Sequence, residues 1–286
     1  MNIQHFFDEA TSSLTYVVDD GTIGVVIDPV RDYDPNNART SWESAEHVAR
    51  FIDARGISIP YVIDTHAHAD HLTGLPFFKD RYGAKTVTGA RIGEIQKSFR
   101  DIYDFDPTFP ANGSQFDVLV DEGQRLTFGS LQVEALHTPG HTPAHMSWRI
   151  LDVVFVGDTL FMPDYGSARC DFPGGSAAML FDSIQRLYAM PDETRLFMCH
   201  DYRPDGRPLA YHTTVGEQKR RNIQISERTT REEYIAFRAK RDATLAAPRL
   251  ILPSVQVNIC AGELPSAAAN GTSYLKIPLN RLGATK

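Results

Sequence analysis

Thr65-His66-Ala67-His68-Ala69-Asp70-His71 is the stretch on which the reading of this chain turns. It follows the apolar run Ile59-Pro60-Tyr61-Val62-Ile63 and packs His66, His68, Asp70 and His71 into six positions. Histidine is the commonest protein ligand for transition metals, and carboxylates complete such sites. If His66 and His68 lie in extended chain, they are two residues apart and point the same way, so both can converge on one cation. Asp70 and His71 follow where the chain turns, and can reach a neighbouring point.

Three later segments have the same form, a β-rich run ending in a metal-capable side chain. Leu131–Val133 leads through Thr138-Pro139-Gly140 to His141, Val153–Val156 leads to Asp158, and Leu196–Met198 leads to His200. Taken alone, each has an ordinary explanation: a turn histidine, a helix cap, a structural histidine. Together and in this order they point to a metalloenzyme. The seven groups divide into two expected sites. One comprises His66, His68, His141 and Asp158; the other comprises Asp70, His71 and His200, sharing Asp158. His137 and His145 flank His141 and are expected to support ligands or to be structural rather than to be ligands. Such a site polarises a bound water, or leaves open positions for substrate and dioxygen.

Around these motifs the chain alternates strand and helix, as an α/β protein does. Ser13–Val18 and Ile23–Ile27 read as strands around the turn Asp19-Asp20-Gly21. Thr40 to Arg55 reads as a helix with a Thr40/Glu43 capping box and Gly56 as its C-cap. Leu72 to Tyr82 can form a helix starting near Pro76, and residues 115–160 read mostly as strand. Ser176 to Met190 reads as a helix capped by Ser176 and buried along Leu180, Ile184, Leu187 and Tyr188. Thr194–Cys199 is a strand, and Thr230 to Leu245 a charged helix opening with Thr230 and Glu233. Leu250–Leu252 and Val255–Ile259 read as edge strands of an extended tail. Such an edge could pair with a second copy, which makes a homodimer an expectation.

The chain has 286 residues, with 29 Lys and Arg against 36 Asp and Glu, a net charge of −7. That charge opposes nucleic-acid binding. No apolar stretch approaches the ~20 residues a membrane helix needs. The N-terminal Met1-Asn2-Ile3-Gln4-His5-Phe6-Phe7 lacks the form of a signal peptide. Cys170, Cys199 and Cys260 form no CxxC pair and no disulfide framework. A soluble, cytoplasmic protein is expected.

With these motifs in view, the sequence resembles the metallo-β-lactamase superfamily over roughly residues 10–225. The resemblance rests on Thr65–His71, Thr138-Pro139-Gly140-His141-Thr142, Gly157-Asp158-Thr159-Leu160 and Cys199-His200-Asp201-Tyr202. It implies an αββα sandwich of two mixed sheets flanked by helices, with the metal site at one edge. On that reading residues 1–225 form the domain, and 226–286 a C-terminal extension packed on it. Gly166-Ser167-Ala168-Arg169-Cys170-Asp171-Phe172 is similar to the Gly-Arg-Thr-Asp-Phe segment of persulfide (sulfur) dioxygenases, with Cys170 where that family usually has Thr. His200-Asp201-Tyr202 with Thr213-Thr214-Val215 and Glu217, and more weakly Leu252-Pro253 with Asn258, also resemble that family.

In that family a single Fe(II) is held by two histidines and a carboxylate, which here correspond to His66, His141 and Asp158. His68, Asp70, His71 and His200 would then tune the site or form a second one. The resemblance implies glutathione persulfide and dioxygen as substrates, and sulfite and glutathione as products. Tyr202 stands where related glutathione-thioester hydrolases place a glutathione-touching Tyr. Arg169 is a candidate anion contact, with an ion pair to Asp171 as its plain alternative. Lys219 and Arg220 are further substrate candidates. The rival reading is a Zn(II) glutathione-thioester hydrolase of the glyoxalase II type, and a remoter one is a non-catalytic metal-binding module.

Overall fold

β-rich runs form two six-stranded sheets in this computed structural model, which describes residues 1–281. The first sheet runs, in spatial order, through β1 (Asn2–Asp8), β2 (Ser13–Asp19), β3 (Ile23–Ile27), β6 (Ser58–Ile63), β8 (Lys85–Gly89) and β9 (Val118–Val120). From β3 onward its strands are parallel. The second runs through β10 (Arg125–Phe128), β11 (Leu131–His137), β12 (Met146–Ile150), β13 (Val153–Phe155), β14 (Arg195–Phe197) and β15 (His212–Thr214), with only β13 and β14 parallel. A small third sheet joins β4 (Val30–Asp34), β5 (Arg39–Ser41) and β7 (Leu72–Thr73).

Alternation sets the layers. On β2, β3 and β6, residues such as Leu14, Tyr16, Val25, Ile27 and Ile63 face the second sheet and bury Val133, Trp148, Phe155 and Phe197. Their neighbours Val17, Val26 and Val62 point the other way. They pack under α1 (Glu43–Arg55), α2 (Leu75–Tyr82) and α3 (Ile92–Ile102) through Val48, Ile52, Phe78, Ile95 and Phe99. On the far side, Val154, Leu196 and Met198 pack beneath Leu180, Ile184 and Leu187 of α4 (Ala177–Tyr188). The result is the expected αββα sandwich, completed by α5 (Val215–Arg221), α6 (Arg231–Asp242) and α7 (Ile251–Asn258).

Two helix starts follow the sequence closely. Ser176 accepts from Met179 N–H, and Thr230 with Glu233 forms a complete capping box. α1 departs from expectation at its start: it begins at Glu43, and Thr40 lies in β5, where its hydroxyl meets Arg31. Its N-terminus is capped from a distance instead, by Asp32, which accepts from Ser44 N–H and Oγ–H. α2 begins at Leu75, after the two-residue strand β7.

The tail is corrected outright. The segment read as edge strands is helix α7, so it offers no strand edge to a second copy. Its Ile251, Val255 and Ile259 recur at helical spacing and join the α1–α3 core. Tyr103 on α3 donates to the carbonyls of Ile251 and Leu252. α6 meets α4, with the rings of Tyr234 and Phe181 5.8 Å apart. Residues 282–286 of the expected extension lie outside the described residues.

Candidate metal centre and its cavity

Four loops reach one rim of the sandwich. They leave the C-terminal ends of β6, β11, β13 and β14, and carry residues 66–71, His141, Asp158 and His200. The rim is joined across the sheets where Leu14 N–H donates to the Cys199 carbonyl at 2.8 Å.

His66, His141 and Asp158 are all buried, and offer ligand atoms within 4.8 Å of one another. Asp158 Oδ2 lies 3.9 Å from His66 Nε2 and 3.6 Å from His141 Nε2. Hydrogen bonds on the far ring nitrogens fix the tautomers. His141 Nδ1 donates to the Arg169 carbonyl at 2.8 Å. Thr65 Oγ1 donates to Asp28 at 3.0 Å and so accepts from His66 Nδ1 at 2.9 Å. Both Nε2 atoms are left as lone pairs facing the centre. Burial, with the surrounding histidines, holds the His66 ring well below its usual pKa and hence neutral, the form a ligand needs.

Asp158 is set by its turn. Gly157 has φ of 51°, and a Cβ there would lie 2.5 Å from His145 Nε2 and 2.8 Å from Thr65 Cβ. That close approach lets His145 Nε2 accept from Asp158 N–H at 2.9 Å while its Nδ1 meets Thr138 Oγ1 at 3.0 Å. His145 thus supports the site, as its sequence context implied. Gly140, before His141, lies against the Leu180 backbone nitrogen, where a Cβ would approach to 2.3 Å.

His68 does not join the first set as expected. Its Nε2 turns to buried Asp28 at 3.1 Å. Burial alone would lower this ring, but the Asp28 carboxylate outweighs it and lifts His68 to about 9. Of the second set, His200 Nε2 lies 3.1 Å from Asp70 Oδ2 and 3.4 Å from Asp158 Oδ1. His71 donates from Nδ1 to the Leu72 carbonyl, and burial lowers its ring to about 4. The nitrogens His66 Nε2, His68 Nδ1, His71 Nε2 and His200 Nε2 and the oxygens Asp70 Oδ2 and Asp158 Oδ1 are buried with no hydrogen-bond partner. Buried polar atoms without partners are costly, and a cation shared among them removes that cost. The donor set therefore fits a bound metal.

A cavity of about 350 Å³ opens onto His141, Asp158 and Asp70. Tyr202 lines it, stacked between His200 at 5.6 Å and Tyr165 at 4.5 Å between ring centroids. Arg169 also lines it, but its guanidinium is taken up by Asp171, at 2.5 Å, and the Ala246 carbonyl. Lys219 and Arg220 are corrected: both face Asp192 and neither lines the cavity. Sequence reasoning missed Arg241 and Arg249, which line the cavity and form no ion pair among the described residues. It also missed Asp28, although a carboxylate ending the apolar strand Ile23–Ile27 was a signal of the same kind as Asp158.

This rim and sandwich define the class: the chain belongs to the metallo-beta-lactamase superfamily, whose model matches residues 9–200. Within it, the chain is 45% identical to a probable metallo-hydrolase of Burkholderia pseudomallei, over 99% of this chain and 100% of that one. It is 46% identical to Glyoxylase B2 of Dictyostelium discoideum, over 96% and 95%. The human mitochondrial persulfide dioxygenase ETHE1 is 25% identical over 93% of this chain and 91% of its own. The crystal structure of ETHE1 from Myxococcus xanthus has a TM-score of 0.72 and 31% identity, covering 92% of this chain and 100% of that one.

Proposed function

We propose that this protein is an iron-dependent dioxygenase that oxidises glutathione persulfide. The balanced reaction is GSSH + O2 + H2O → GSH + sulfite + 2 H⁺. The observation that carries this reading is the convergence of His66 Nε2, His141 Nε2 and Asp158 Oδ2 as one group. Two histidines and one carboxylate with open positions are what a non-haem Fe(II) oxygenase needs. When bound, Fe(II) supplies the open positions and the redox chemistry that bring dioxygen to the sulfur.

The chain's own residues bind and orient. Glutathione carries two carboxylates, and Arg241 and Arg249, which form no ion pair among the described residues, offer guanidinium groups at the cavity wall. Tyr202 presents a ring and hydroxyl beside the rim, and Phe161 and Leu250 give the cavity apolar walls. Tyr202→Phe is expected to raise KM for glutathione persulfide more than it lowers kcat. An unchanged KM would remove Tyr202 from substrate binding. A cytoplasmic setting suits the free Cys170, Cys199 and Cys260.

A zinc-dependent glutathione-thioester hydrolase is the second reading, favoured by the names of the relatives at 45% and 46% identity. Oxygen uptake separates the two. Iron-loaded protein given glutathione persulfide should consume oxygen and release sulfite in equal amounts, with about one iron per chain. Thioester cleavage without oxygen use, by protein holding two zincs, would replace the dioxygenase reading with the hydrolase.

A further inference from the structure

The metal loop lies in an unusual position for irregular backbone. Residues 66–71 are nearly all buried and belong to no helix or strand. Among the described residues, no backbone–backbone hydrogen bond outside the regular elements involves them. Buried carbonyls in such a loop must find other partners. Asn258, on the last turn of α7, supplies them. Its Nδ2 donates to the His68 carbonyl at 2.8 Å and to the His71 carbonyl at 2.8 Å, and its Oδ1 accepts from Thr73 N–H at 2.9 Å. Asn258 is 1% exposed. One planar amide therefore ties down both ends of the segment that carries His68, Asp70 and His71, and Thr73 at the end of the short strand after it.

We infer that Asn258 is a positioning residue for the metal centre, and that α7, which lies beyond the matched family region of 9–200, completes a site whose ligands lie within that region. The amide fits this task better than other side chains of its size. Two donors on one nitrogen meet two carbonyls, and the acceptor meets an N–H. Aspartate would set a carboxylate against both carbonyls, and alanine would leave all three groups unpaired in a dry interior. Other α7 polar groups do not reach the loop: Gln256 meets Leu252 and Lys276. Partners of this kind typically change metal affinity on the order of 10–100-fold when removed.

The inference rests on the reading of this rim as a metal centre, to which the anchored segment brings the His68, Asp70 and His71 group, and its test is independent of substrate. Co(II) affinity, by competition with a chelator, and the Co(II) visible spectrum are compared in wild type, Asn258→Ala, Asn258→Asp and Gln256→Ala. The expectation is a loss of roughly 10–100-fold in affinity and an altered spectrum in both Asn258 variants, with Gln256→Ala like wild type. Wild-type affinity and spectrum in folded Asn258→Ala would overturn the inference and leave the metal reading intact. Wild type that takes up no Co(II) would sink the metal reading itself.

Hydrogen exchange on the full-length wild type covers the case in which neither variant folds. Linkage is reciprocal, so stripping the metal should loosen residues 251–258 together with residues 65–73. Unchanged protection across 251–258 would also overturn the inference.

Discussion

Every histidine at the rim has one nitrogen committed to a hydrogen bond with protein, and the identity of that partner decides what the other nitrogen can do. His66 leans on Thr65, and His141 on the Arg169 carbonyl, so each offers a lone pair to the centre. His68 leans on the Asp28 carboxylate through Nε2, which leaves its Nδ1 buried without a partner. Gly157 makes this arrangement sterically feasible, since any Cβ would displace His145 and Thr65 together. Gly157→Ala is expected to destabilise the fold by about 1–3 kcal/mol and to weaken metal binding, read by thermal melting and chelator competition. Arg249 lines the cavity and is the carboxylate contact proposed for glutathione persulfide. Arg249→Met should raise KM for glutathione persulfide roughly 10-fold, about 1.4 kcal/mol, while a persulfide lacking carboxylates keeps its KM. Equal changes for both substrates would remove Arg249 from carboxylate recognition. The clustering of metal-capable side chains was legible because chemistry restricts them to a few residue types at strand ends. The supporting roles of Thr65, Asp28 and Asn258 were not, although Thr65 and Asn258 stand in the sequence motifs, because a supporting hydrogen bond can come from almost any polar residue at any distance along the chain.

Among the elements, those whose local preferences agree with their packing could be read directly. α4 has a Ser176 cap, a buried stripe through Leu180, Ile184 and Leu187, and Pro191 beyond its end. Ser176→Ala should cost about 1 kcal/mol, seen as a lower unfolding midpoint in denaturant with an unchanged slope. A slope change would mean that the cap also shapes the unfolded chain. α7 shows the opposite case. Ile251, Val255, Val257 and Ile259 are β-branched and were read as strand, but the segment is short, and Ile251, Val255 and Ile259 are buried against α1–α3. Packing overrode a weak local preference. The start of α1 failed for a related reason. Its cap comes from Asp32 across the β4–α1 connection, and a distant carboxylate leaves no capping box in the sequence.

At the scale of the whole molecule, the two sheets are tied at both ends. The site occupies one end. At the other, Asp20 in the β2–β3 turn accepts from Thr22 and Ile23 N–H in its own turn, and from Ser130 N–H in the β10–β11 turn of the second sheet. These backbone donors hold its carboxyl far below the usual range. A carboxyl depressed on folding adds stability that is present above its unfolded value, near pH 4, and fades as pH falls through the folded value. Asp20→Asn should therefore flatten the loss of stability between about pH 4 and pH 2, measured by denaturant titration at each pH, and leave activity at neutral pH unchanged. An acid limb identical to wild type would show that the turn-to-turn contact does not contribute. The sandwich itself was legible from the order of strands, helices and motifs. The cavity wall was not, because Arg241 and Arg249 sit in a charged segment whose residues ordinarily only meet solvent.

The distance along the chain between the metal loop and its anchor also has a consequence for synthesis. His68 and Asn258 are 190 positions apart. A ribosome adding about 5–20 residues per second needs roughly 10–40 s to cross that interval. Throughout it, the nascent loop carries its histidines without the amide that fixes them. Metal met during translation encounters an unfinished mould, and the geometry that selects among cations is cast only when the last helix arrives.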